Sequence, residues 1–231
     1  MKIENANVLI TGANRGIGLA FAREALRRGA RKVYAAARDP AQITLAGVTP
    51  VKLDVTRADE VAAAATACPD VSVLINNAGI ARPGGLLAPE GLASLQAHLD
   101  TNLLGPLRLS QAFAPVLAAQ GGGAVLNVLS VLSWFNSPLL SAYAVSKAAA
   151  WGLSNGLRNE WKSQGTQVLN LHMGYVDTDL TRGFEVEKTP PEEIVRLALD
   201  ALEAGASEVL GDALTQQVRQ GLSAEPAIYL S

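Results

Sequence analysis

Cysteine and histidine are nearly missing from this chain: its 231 residues include one cysteine and two histidines. Cys68 cannot close an internal disulfide, and with Pro69 behind it and no histidine nearby in sequence it reads as a buried thiol rather than a nucleophile. His98, His172 and the scattered carboxylates make no ligand spacing, so the chemistry calls for no metal. Neither sign of charge dominates: a net −2 gives no electrostatic footprint for nucleic acid, and no basic amphipathic stretch suggests a membrane surface. Long apolar runs are absent too. Nothing approaches the ~18 residues of a spanning helix, and Met1–Ala6 lacks the apolar segment of a signal peptide. A cytoplasmic protein that binds neither nucleic acid nor membrane is expected.

No Pro/Gly/Ser-rich linker, charge block or composition shift divides the chain, and 49% hydrophobic content is ample for one large core, so residues 1–231 read as a single domain. Short apolar runs alternate with segments of helical spacing. Strands are expected at 7–11, 32–37, 49–53, 72–75, 124–129, 167–172 and 208–210. Helices are expected near 16–28, 57–67, 91–119 with a break at Gly105-Pro106, 141–163, 191–203 and 212–221. Pro191-Glu192-Glu193 suits a helix start, where proline costs no hydrogen bond and carboxylates face the positive dipole end. Right-handed crossovers then give an α/β fold: a doubly wound, mostly parallel seven-stranded sheet with helices on both faces, the Rossmann fold.

Three glycines, Gly12, Gly16 and Gly18, follow the first strand and open the first helix, where main-chain N–H groups and the helix dipole can hold a pyrophosphate. Asn14, Arg15 and Ile17 belong to the same turn. At the end of the second strand a carboxylate would bind the adenosine ribose hydroxyls and a cation a 2′-phosphate. Here Ala37 is followed by Arg38, with Arg15 able to approach from the glycine turn. NADP(H) is therefore expected, with NAD(H) possible, and an inward-pointing Asp39 would weaken the preference.

Farther along, Ser141-Ala-Tyr143-Ala-Val-Ser-Lys147 places a phenol and an ammonium four residues apart, on one face of a helix. An unperturbed tyrosine titrates near ~10, and a neighbouring cation favours its phenolate. Ser130 ends the apolar run 124–129, so its hydroxyl should emerge at the carboxyl edge of the sheet, where such folds bind ligands; Ser133 is its nearby competitor.

With these pieces in place the chain resembles the short-chain dehydrogenase/reductase family over almost its whole length. The resemblance is carried by Gly-x-x-x-Gly-x-Gly at 12–18, Leu53-Asp54-Val55, Asn76-Asn-Ala78-Gly79, Asn102, Ser130 and Tyr143-x-x-x-Lys147, in the family's order and approximate spacing. It implies carbonyl reduction by hydride transfer, reversible as alcohol oxidation. Ser130 would polarise the substrate oxygen and Tyr143 donate the proton. Lys147 would lower the Tyr143 pKa and bind the nicotinamide ribose, with Asn102 holding a water that links Lys147 to solvent. Asp54 and Val55 would border the adenine, while Asn76, Ala78 and Gly79 line the coenzyme channel. Met173-Gly174-Tyr-Val176-Asp-Thr178 stands where the family usually has Pro-Gly before a nicotinamide-contacting loop, with Thr178 the carboxamide contact. Met173 in place of proline leaves that loop without a fixed φ.

Trp134, Phe135, Leu139, Leu140, Ile80, Tyr175 and Phe184 should make a largely apolar pocket for a small carbonyl or alcohol substrate, and 181–189 is the expected lid. Trp151 and Trp161 share the helix of Tyr143, a helix that related proteins often pair across a two-fold axis, so a homodimer or homotetramer is expected. Two other readings remain. Gly152-Leu-Ser154-Asn-Gly156 matches the pattern of a hydrolase nucleophile elbow, although it falls inside a helical segment. A coenzyme-binding sensor without turnover is the other, which four intact residues at 102, 130, 143 and 147 argue against.

Overall fold

Aliphatic and β-branched runs form seven strands in the computed structural model, which describes residues 1–230: β1 (Asn7–Thr11), β2 (Lys32–Ala37), β3 (Thr49–Lys52), β4 (Val73–Asn76), β5 (Ala124–Val128), β6 (Gln167–His172) and β7 (Glu208–Leu210). They lie in the order β3-β2-β1-β4-β5-β6-β7, and every pairing is parallel. All five residues of β1, of β5 and the four of β4 are buried, as a sheet covered on both faces requires. Pro50, which cannot donate to a ladder, sits in β3, an edge strand paired only with β2.

The covering helices are α1 (Gly16–Arg27), α2 (Ala58–Ala67), α3 (Gly91–Leu99), α4 (Gly105–Ala119), α5 (Ser141–Glu160), α6 (Pro191–Glu203) and α7 (Ala213–Gly221). Side chains of α1 and α6 pack with Val8, Ile10, Ile75 and Leu126 on one face. Those of α2, α4 and α5 pack with Leu9, Leu74 and Val125 on the other, so alternate residues of each strand feed opposite cores. Cys68 is buried in the second core, and burial pushes its thiol up to about 11.

Expected and observed ends agree to within a few residues, with one informative difference. The break in the segment 91–119 lies at Asp100–Leu104, which winds as a π-turn, and Gly105-Pro106 opens α4 rather than interrupting a single helix. Pro106 has no N–H to donate to the carbonyl four residues back, that of Asn102. Gly105 allows α4 to start against the sheet, since a Cβ there would stand 2.8 Å from a methyl of Val55. The strand order reverses between β1 and β4, and the crevice above their carboxyl ends is where a doubly wound sheet binds its ligand.

Candidate active site

The glycine turn fills that crevice on one side. Gly12 and Gly16 have φ of +66° and +54°, in the left-handed region that glycine adopts freely. A Cβ at Gly18 would lie 2.2 Å from the Gly12 carbonyl oxygen, so only glycine lets α1 begin this close to β1. No side chain caps α1 and its first turn carries no carboxylate, which leaves its N–H groups facing the crevice for an anion. Two residues outside the expected set brace the turn. The Thr11 hydroxyl accepts the N–H groups of Asn77 and Ala78 at 3.0 Å each, and the Asn77 amide donates to the Thr11 carbonyl at 2.8 Å. Both lie next to residues expected to meet the coenzyme. What they do themselves is fasten the ends of β1 and β4 together.

At the end of β2, Arg38 is exposed and projects no ion pair of its own, while its field and that of Arg57 reach Asp54. Burial raises the Asp54 carboxyl, but hydrogen bonds from the Thr56 hydroxyl and N–H outweigh it and hold the group low. Asp39 does not point inward: it accepts from the Ala41 N–H at 3.1 Å and from the Gln42 amide at 3.3 Å, capping a short turn. Gln42 in turn receives the Asn14 amide at 3.0 Å. Arg15 is already engaged, donating to Asp179 at 3.0 Å. Of the two arginines expected at a 2′-phosphate, Arg15 is the one that shares a carboxylate among the described residues. Val55 is buried beside the start of α4.

Ser130 leaves β5 in extended conformation and its hydroxyl accepts the Leu132 N–H at 3.1 Å, starting a single turn. That orientation leaves it on the side of the Tyr143 phenol, whose ionisation it favours. Ser133 is buried inside the turn, and its hydroxyl has no partner. Burial pushes the Tyr143 phenol up to about 12, with the Ser130 hydroxyl acting in the opposite direction. Lys147 lies over the same ring, with Nζ 5.6 Å from its centre, but donates to the Val128 carbonyl at 2.7 Å, and burial brings its pKa down to about 8. The expected lowering of Tyr143 by Lys147 is therefore not what this arrangement shows: the cation is turned to the end of β5, and desolvation dominates the phenol.

Asn102 is buried in the π-turn and its side chain is fully committed. Its Oδ1 accepts the Ile80 N–H, and its amide donates to the Ile80 carbonyl and to the Ser146 hydroxyl, all at 2.9 Å. Ser146 closes the link by donating to the Tyr143 carbonyl at 2.7 Å. The sequence offered no signal for Ser146 beyond its place before Lys147. Asn102, Lys147, Asn76, Asn127 and Ser154 line an internal cavity of about 10 Å³, the volume of roughly one water. Asn76 donates to Asn127, Asn127 donates to Ser154, and the Asn76 Oδ1 is left without a partner. Ser154 itself is buried within α5, with no sharp turn and no histidine beside it, which removes the structural basis for a nucleophile elbow.

Across the crevice, Thr178 stands over the glycine turn, its methyl 3.4 Å from where a Gly16 Cβ would be. Met173 is buried in the core and its carbonyl accepts the Val131 N–H at 2.8 Å. The loop gets its rigidity elsewhere: Gly174 N–H donates to Asp212 at 2.6 Å, and Asp212 also caps α7 through the Thr215 N–H and hydroxyl. A bridge between Val176 and Thr189 closes the base of the segment 181–189. Tyr175 and Phe184 pack with ring centres 5.5 Å apart, and Phe135, Phe184 and Leu140 share a cluster with Tyr143. Trp134, expected in the pocket wall, is instead buried in a stack, 4.1 Å from the His172 ring and 5.3 Å from the Arg219 guanidinium. Val218, Leu222 and Ile228 join the same cluster, so the C-terminal stretch contributes more of it than its sequence indicated.

The pattern of the short chain dehydrogenase family matches residues 6–188. Galactitol 2-dehydrogenase (L-tagatose-forming) of Cereibacter sphaeroides is 34% identical over 91% of this chain and 92% of its own. A 3-oxoacyl-[acyl-carrier-protein] reductase of Synechocystis is 31% identical over 78% of this chain and 77% of its own. Among solved structures, a short chain dehydrogenase from Burkholderia cenocepacia in complex with NADP superposes over 100% of both chains with a TM-score of 0.95 and 36% identity. A gluconate 5-dehydrogenase from the same species, in complex with NADP and tartrate, covers 94% of this chain and 97% of its own at a TM-score of 0.84 and 27% identity. The chain belongs to the short-chain dehydrogenase family and is an oxidoreductase by that membership.

Proposed function

We propose that this dehydrogenase reduces a small aldehyde or ketone to the alcohol, reversibly, with NADPH as the coenzyme. The observation that carries the reading is the gathering of Ser130, Tyr143 and Lys147, with Lys147 Nζ 5.6 Å from the Tyr143 ring centre, at the sheet edge that faces the glycine turn. A phenol raised to about 12 stays protonated at neutral pH, the state a proton donor needs. Ser130 is placed to donate to the oxygen that gains negative charge. The nicotinamide dinucleotide, when bound, supplies the hydride. Gly12, Gly16 and Gly18 fit its pyrophosphate, and Arg38 and Arg15 suit a 2′-phosphate, in keeping with the NADP held by the Burkholderia relatives. Lys147 is the cation available to the nicotinamide ribose. With the Asn102 amide donating to Ile80 and Ser146 and no N–H on Pro106 to take the Asn102 carbonyl, that carbonyl is our candidate to hold a water in the cavity beside Lys147.

Phe135, Tyr175, Phe184 and Leu140 favour an apolar carbonyl substrate, although the names of the relatives span polyols and acyl chains. The test is NADPH consumption at neutral pH against a panel of apolar aldehydes and ketones, sugar ketoses and 3-oxoacyl thioesters. Turnover of the apolar carbonyls ahead of the ketoses supports the reading. Saturable NADPH binding without turnover of any panel member moves the protein to a coenzyme sensor. No NADPH binding sinks the coenzyme assignment.

A further inference from the structure

Only two histidines occur in this chain, and both are completely buried. His98 has an evident structural role, because its Nε2 accepts the Arg82 N–H at 3.1 Å and its Nδ1 therefore donates to the Ser94 carbonyl at 2.7 Å, tying α3 to the loop after β4. His172 stands elsewhere, at the last position of β6, directly beside Ser130. Main-chain bonds from Leu129 N–H to Leu171 and from Val131 N–H to Met173, each 2.8 Å, continue the β5–β6 ladder past Val128 and Leu171 and fasten the two strand ends together at Ser130 and His172. The His172 Nδ1 faces the Ser130 carbonyl oxygen at 3.3 Å, and since a carbonyl only accepts, Nδ1 carries the proton. The rest of the ring is held by packing, since its Nε2 has no hydrogen-bond partner among the described residues. Its Nε2 faces Glu208 at 3.5 Å, and Trp134 stacks on it at 4.1 Å between ring centres. Glu208 is itself pinned by the Trp151 indole N–H at 2.9 Å and by Arg219 at 3.6 Å.

From this arrangement we infer that His172, held in its stack against Trp134, is a positioning residue for the reaction: it fixes the Ser130 peptide so that the Ser130 hydroxyl points at Tyr143 and at the substrate oxygen. The inference rests on the carbonyl-reduction reading for its kinetic consequence, and on geometry alone for the contact itself. The Ser130 carbonyl has two lone pairs; the Ser133 N–H takes one at 3.0 Å, which secures the turn, and His172 takes the other. Loss of the second bond frees the peptide plane to rock about the first, and the hydroxyl rocks with it. A displacement well under the length of a hydrogen bond is enough to weaken a donor whose value lies in being preorganised.

Two substitutions separate the bond from the bulk. His172→Asn keeps an amide N–H where Nδ1 stands; His172→Gln puts its amide where Nε2 stands and leaves the Ser130 carbonyl unserved. His172→Leu removes both contacts, and the Asn/Gln pair decides the matter should the Leu protein not fold. With a substrate from the panel, the Gln and Leu proteins are expected to lose about tenfold to a hundredfold in kcat, with KM and NADPH affinity nearly unchanged, and Asn to recover most of that loss. In a Ser130→Ala background the same substitutions should change kcat by less than about threefold, because His172 acts only through Ser130. Independently of turnover, the carbonyl ¹³C resonance of Ser130 in the coenzyme-free protein should shift in the Gln and Leu proteins and stay near its wild-type position in the Asn protein. An unmoved resonance, equal losses in both backgrounds, or Asn no better than Gln would each overturn the inference. Failure of the wild type to turn over any carbonyl would fault the reaction assignment, and the resonance would still decide the contact.

Discussion

At the scale of single residues, the site divides into side chains that touch the reaction and side chains that hold them. Ser130 was legible because a serine ending an apolar run must surface at the sheet edge, and Tyr143 and Lys147 because a spacing of four shares a helix face. Their mutual electrostatics were not legible: whether Lys147 faces the phenol or the Val128 carbonyl depends on a rotamer, and here it takes the carbonyl. Ser146, Thr11 and Asn77 escaped notice because a bonding role between two loops has no local sequence signature. Removing the Ser130 hydroxyl in Ser130→Ala should lower kcat about 100-fold to 1,000-fold while NADPH affinity stays within twofold, measured by steady-state kinetics and coenzyme titration. The coenzyme choice separates the two arginines. Arg38→Ala should weaken NADPH by about tenfold or more and leave NADH unchanged, whereas Arg15→Ala, whose guanidinium is already shared with Asp179, should cost NADPH less than Arg38→Ala does.

At the scale of elements, apolar runs and periodicity placed all seven strands and the covering helices because the central strands bury both faces and each helix one. The π-turn at Asp100–Leu104 was not read from periodicity, since a phase shift of about 100° within so few turns is hard to tell from the scatter of apolar residues on a half-buried helix. Only Gly105-Pro106 hinted that the helix could not run through. Two glycine substitutions contrast an enforced glycine with a tolerated one. Gly18→Ala puts a methyl against the Gly12 carbonyl and should abolish NADPH binding and lower Tm, read by thermal melts with and without coenzyme. Gly156→Ala, in the middle of α5 with nothing within 4 Å, should raise stability by about 0.4–1 kcal/mol and leave kcat alone.

At the scale of the whole molecule, no helix among the described residues is long and apolar enough to cross a membrane. Trp151 and Trp161, expected from sequence at a dimer face, serve the protomer itself: Trp151 donates to Glu208 and Trp161 is buried in the core against α2 and α4. A two-fold assembly remains a proposal that rests on the family resemblance. Acid stability should follow the carboxylates that folding favours in charged form. Glu208, beside the His172 ring and bonded by the Trp151 indole, and Glu24, bonded by Arg27 and Arg28, are each held down to about 2 from 4.5. Groups depressed in the folded state contribute stability that is fully present above their ordinary pKa and is lost as pH falls through the folded one. Urea melts should therefore weaken between pH 4.5 and 2, and Glu208→Gln should flatten part of that slope. The most direct test of the account is the kcat for NADPH oxidation by wild type and Tyr143→Phe, with NADPH affinity measured on both. The account predicts a loss of about 100-fold to 10,000-fold in kcat with coenzyme binding intact. A phenylalanine protein that turns over as fast as wild type would contradict it.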